Sequence, residues 1–140
     1  MKKGFFSLAF ALLSLFSFSQ TVHKGSLISV HSATPTLKEG VTMEDFIKFN
    51  KTTLIPAYEK AFPGLKMYLT KRLRGQDSSS MGFILMFDSE AVRDKYFNND
   101  GTATELGKAA GAKLSSLGKE YDKYVVRSNA ADIYTDWLIE

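Results

Sequence analysis

The segment Met81–Phe87, MGFILMF, is apolar at almost every position. Read as a strand, it sends Met81, Phe83, Leu85 and Phe87 to one face and Gly82, Ile84 and Met86 to the other. A sheet with helices on one side only has no use for a strand that is apolar on both. Something must cover each face, and this requirement constrains everything else the chain can build.

The neighbouring segments supply the rest of the sheet. LKMYLTKRLR alternates, with Leu65, Met67, Leu69 and Leu73 on one side and Lys66, Tyr68, Thr70 and Arg72 on the other, which predicts a strand of about nine residues. GQDSSS then reads as a turn, so these two strands form an antiparallel hairpin. Residues 26–32 predict an earlier strand, with Leu27, Ser29 and His31 opposite Ile28 and Val30. The C-terminal ADIYTDWLIE predicts a last one, with Ile133, Thr135, Trp137 and Ile139 opposite Tyr134, Asp136 and Leu138.

Between strands the period changes to that of a helix. Met43, Phe46, Ile47, Leu54, Ala57, Tyr58, Ala61 and Phe62 form one stripe, preceded by Thr42 and Asp45 in capping-box positions. Pro56 lacks an amide donor and should bend or divide this helix near residues 52–55. A second helical region should begin at Ser89, stop at Asn98-Asn99-Asp100-Gly101 with the glycine left-handed, and resume from Thr102 along Leu106, Ala110, Leu114, Leu117, Tyr121 and Tyr124. The order strand, helix, strand, strand, helix pair, strand is that of an α+β, ferredoxin-like domain: a four-stranded antiparallel sheet with helices on one face. The cover for the other face is then the same face of a second copy, giving a two-fold homodimer.

Residues 1–19 have the layout of a secretory signal peptide: Lys2 and Lys3, an apolar run from Phe5 to Phe16, and small Ser17 and Ser19 before the expected cleavage point. The run falls short of the ~20 residues that span a bilayer, so no membrane anchor is expected after cleavage. Residues 20–140 form the expected single domain, exported to the periplasm or beyond. Loss of the two lysines takes the formal charge from +3 to about +1, which leaves no basic stripe for nucleic acid. The chain has no cysteine, which rules out thiol catalysis, thiolate metal sites and a lipid anchor on sulfur.

On element order, a first-strand histidine, the Phe62-Pro63-Gly64 helix exit and the divided second helical region, the chain resembles the dimeric α+β barrel superfamily over roughly residues 26–140. The resemblance implies two ferredoxin-like subunits packed sheet to sheet. Its members include cofactor-independent monooxygenases, haem-degrading oxygenases, isomerases, peroxidases and proteins of no settled chemistry, so it does not select a reaction.

Candidate pocket residues are His31, Tyr58, Tyr68, Arg72 and Trp137. His31 can act as a base or an iron ligand, or it is a hydrogen-bonding residue at a strand end. The aromatics can line an apolar concavity between helices and sheet, and Arg72 can hold an anion or be a charged strand end. No catalytic constellation and no metal-ligand cluster is visible, and no cofactor is expected beyond the haem that His31 leaves open. The sequence reading is therefore a homodimer binding a small apolar or aromatic molecule, with a cofactor-independent or haem-handling monooxygenase-like enzyme as the alternative.

Overall fold

The computed structural model describes residues 22–75, 80–127 and 133–140. The expected signal peptide, and Asp77 within the predicted GQDSSS turn, lie outside these residues. Four strands, β1 (Leu27–Ala33), β2 (Leu65–Lys71), β3 (Met81–Phe87) and β4 (Ile133–Leu138), form one antiparallel sheet in the order β2-β3-β1-β4. With helical segments between β1 and β2 and between β3 and β4, this is the ferredoxin-like topology of an α+β domain.

The register fixes which side chains stand together. Leu27 pairs with Phe87 and Leu138, Ser29 with Leu85 and Asp136, and His31 with Phe83 and Tyr134. Across the hairpin, Leu65 pairs with Phe87, Met67 with Leu85 and Leu69 with Phe83. These rows make the helix-covered face. The opposite face carries Ile28, Val30, Ile84, Met86, Tyr68 and Trp137.

The first helix runs from α1 (Met43–Phe49) through a π-helical turn (Asn50–Leu54) into α2 (Ile55–Ala61). Thr42 caps it as expected: its hydroxyl accepts from the Asp45 amide at 3.1 Å, and Asp45 Oδ2 accepts from the Thr42 amide at 3.1 Å. Pro56 explains the π turn. A proline ring collides with the carbonyl four residues back, and widening the helix relieves the clash while the Ile55 amide donates to the Asn50 carbonyl. Asn50 sits at the start of this turn, 0% exposed; its Nδ2 donates to the Phe46 carbonyl at 2.7 Å, and its Oδ1 has no partner among the described residues.

The second helical region is more broken than its apolar spacing predicts. It consists of α3 (Glu90–Arg93), α4 (Glu105–Ala112) and α5 (Ser115–Tyr121). Gly101 is left-handed at φ +81° as predicted. Leu106, expected on the buried stripe, is exposed, because α4 turns Gly107 and Ala110 inward instead. Gly107 lies so close to the Tyr96 carbonyl that an added Cβ would stand 2.0 Å from its oxygen, which fixes the helix face. Likewise β2 ends at Lys71, and Leu73 beyond it is exposed.

The core sits between the sheet and these helices. Leu27, Ala61, Phe62, Leu65, Phe87, Tyr96 and Ala110 pack at one end, and Phe49, Leu54, Met67 and Leu117 in the middle. Phe46, Met81 and Val125 close the other end, where the chain after β1 meets the chain after α5 through a Leu37–Val125 bridge.

Candidate functional site

Packing between the first helix, α5 and the sheet leaves a cavity of about 680 Å³. Its floor is the apolar half of the helix-covered face: Met67 and Leu69 from β2, with Met81, Phe83 and Leu85 from β3. Phe46, Leu54 and Tyr58 descend from the first helix, and Leu114, Leu117 and Tyr121 from α5 and its approach. Thr34 to Thr36 and Val125 to Arg127 form the rim, held together by the Val126 amide donating to the Thr36 carbonyl at 2.8 Å.

Two phenols reach into this space from the helices. The Tyr58 and Tyr121 hydroxyls make no hydrogen bond among the described residues. Burial pushes the Tyr58 phenol above its ordinary pKa. Burial does the same to Tyr121, and nearby Tyr58 adds to it. Both therefore stay protonated across the physiological range, as donors and acceptors available to a guest. At the rim, Arg127 is held by an ion pair with Asp122, whose carboxyl is lowered by that hydrogen bond.

His31 stands at one end of the cavity. Its ring stacks on Tyr134 with centroids 5.2 Å apart and planes 15° from parallel, and its Nε2 shares a 3.1 Å hydrogen bond with Ser29 Oγ. Beyond it lies a second, smaller space of about 190 Å³, lined by Ser29, His31, Tyr134 and Asp136 of the strands, with Arg93, Phe97 and Gly101. Arg93 is 8% exposed. Its Nη1 donates to the carbonyls of Phe97 at 3.2 Å and Asn98 at 2.9 Å, and its Nη2 reaches Asp136 Oδ2 at 3.4 Å.

Of the residues singled out in the sequence, His31 and Tyr58 thus line the large cavity. Tyr68 and Trp137 do not: alternation places them on the opposite face of the sheet, 47% and 60% exposed. Arg72 lies just past β2 and donates to Ser32 Oγ at 3.1 Å, at the corner of that same outer face. Sequence reading passed over Tyr121, Arg93 and Asp136. Tyr121 was visible only as a member of the helical stripe. In sequence Arg93 stands among the charged residues Glu90 and Asp94 with nothing to mark it as buried, but α3 is a single turn, and its last residue turns inward to cap the following loop.

No group of three or more His, Asp or Glu side chains capable of holding a metal ion occurs among the described residues. No family model and no curated protein matches the chain. Among solved structures it is similar to a dimeric protein of unknown function and ferredoxin-like fold from Bacteroides fragilis, at 12% identity and a TM-score of 0.35, over 84% of this chain and 100% of that one.

Proposed function

We propose that the chain is an exported homodimer whose subunits each hold a small apolar or aromatic molecule between sheet and helices. The observation that carries the ligand reading is the cavity of about 680 Å³ with an apolar wall and two unclaimed phenols. Small-molecule sites have this size and this makeup: mostly hydrophobic lining with a few polar groups that orient the guest.

The dimer reading is supported by the outer face of the sheet. Val30, Tyr68 and Trp137 are 38%, 47% and 60% exposed there, beside Ile28 and Ile84, and no helix of the described chain crosses them. A contiguous apolar surface on the central strands, rather than scattered single residues, is what a second copy would bury. Export is supported by the arrangement of residues 1–19, two lysines followed by an apolar run and small residues.

Ligation of haem iron through Nε2 would require His31 to give up its bond to Ser29. Binding an organic guest does not. The test is calorimetric titration of residues 20–140 with 2-methylnaphthalene, for wild type and for Leu69→Trp, which fills the cavity from β2. Saturable binding of one molecule per subunit, weakened about tenfold or more by the substitution, is expected. Absence of binding, or binding indifferent to Leu69→Trp, contradicts the reading.

A further inference from the structure

The helix-covered face of the sheet is divided by polarity. Toward β2 and β3 its rows are Leu69 with Phe83 and Met67 with Leu85; toward β1 and β4 the same rows continue as His31 with Tyr134 and Ser29 with Asp136. The two cavities follow this division. The larger lies over the apolar half; the smaller lies over the half that carries the polar pairs, which stand there beside Phe87, and His31, Leu85 and Phe97 line both.

We propose that the two spaces are one bipartite site for an amphiphilic aromatic: an apolar ring system in the large cavity and an uncharged hydroxyl head in the small one. This rests on the ligand reading above and specifies it. The small space, about 190 Å³, has the volume of about six waters, enough for a head group.

The groups lining it select the head. Tyr134 makes no hydrogen bond among the described residues, so its hydroxyl is available as a donor. Asp136 is engaged only through Oδ2, at 3.4 Å from Arg93, leaving Oδ1 to accept. A hydroxyl both accepts from Tyr134 and donates to Asp136. A carboxylate head would meet the Asp136 charge, and Arg93 does not offset it, because the guanidinium is already paired with Asp136 inside the space and bound to two carbonyls. An ammonium head would meet that guanidinium. The local pair is neutral, and the guest it fits is neutral.

The test titrates residues 20–140 with 2-naphthol, 2-methylnaphthalene and 2-naphthoate, probes that share a ring system and differ in the head. The expected result is that 2-naphthol binds about tenfold tighter than either of the others, the scale of a hydrogen bond or two. Tyr134→Phe and Asp136→Asn should each erase that preference while leaving the affinity for 2-methylnaphthalene within about twofold. Equal binding of 2-naphthol and 2-methylnaphthalene, or a preference that survives both substitutions, overturns the bipartite site and leaves the apolar cavity standing. Tighter binding of 2-naphthoate overturns the neutral head. Failure of all three probes overturns both readings at once.

Discussion

Both faces of the sheet carry large apolar side chains, yet the chain treats them differently. On one face Leu27, Leu65, Met67 and Phe87 are sealed by helices, and the packing opens beside Tyr58 and Tyr121. On the other, Val30, Tyr68 and Trp137 stand in the open with nothing of the described chain above them. The difference separates two uses of apolar surface. A gap inside a core, lined by polar groups with unspent hydrogen bonds, fits a small guest; a broad uncovered face fits another protein surface.

Among substitutions on the two faces, the largest effect is expected on the outer one. Ile84→Glu places a carboxylate between Val30 and Tyr68 at the centre of that face. Sedimentation equilibrium should show the proposed dimer falling to a monomer, with the circular dichroism of the fold retained. A variant that remains dimeric removes the outer face from the interface.

On the covered face the expected loss is of a different kind. Phe87 is 2% exposed and packs in the core with Phe62 and Leu65, so Phe87→Ala should cost about 3–5 kcal/mol in denaturant unfolding. That cost should not vary with protein concentration, whereas the effect of Val30→Ala should grow as concentration favours the dimer. Away from both faces, Thr42→Ala removes the cap of the first helix and should cost about 1 kcal/mol.

Much of the fold is legible in the sequence because the physics that decides it is local. Alternation identifies the strands, the Thr42 cap starts the first helix, and Pro56 marks the place where it changes pitch. The division between the two faces is not local. Each strand yields two alternating sets, and in β4 the set that carries Thr135 and Trp137 is the one that points away from the helices. Tyr68 and Trp137 were accordingly expected in a helix–sheet cavity that they do not line.

The small polar space was hidden for a related reason. Ser29 with His31, and Tyr134 with Asp136, are each visible as neighbours on a strand face, but only the register of β1 against β4 brings the four together. Arg93 joins them because a one-turn helix has no periodicity to read. Helical spacing likewise put Leu106 inside, where contact between Gly107 and the Tyr96 carbonyl excludes it.

The smallest expected effect sharpens the account of the covered face. Burial raises the Tyr58 and Tyr121 phenols in the folded state above their unfolded value near 10. Their contribution is fully present below that value. As pH rises past it, the unfolded chain gives up its protons first and stability falls until the folded phenols ionise too. Tyr58→Phe should flatten the decline in stability above pH ~10 relative to wild type, with little change at neutral pH.

The central claim, that a guest occupies the covered face and not the open one, is tested most directly by isotope-filtered NMR of 2-methylnaphthalene bound to labelled protein. The account predicts intermolecular NOEs to the methyl groups of Leu85, Leu114 and Leu117, and none to Val30 or Ile84. NOEs to Val30 and Ile84, with the cavity leucines silent, would contradict it.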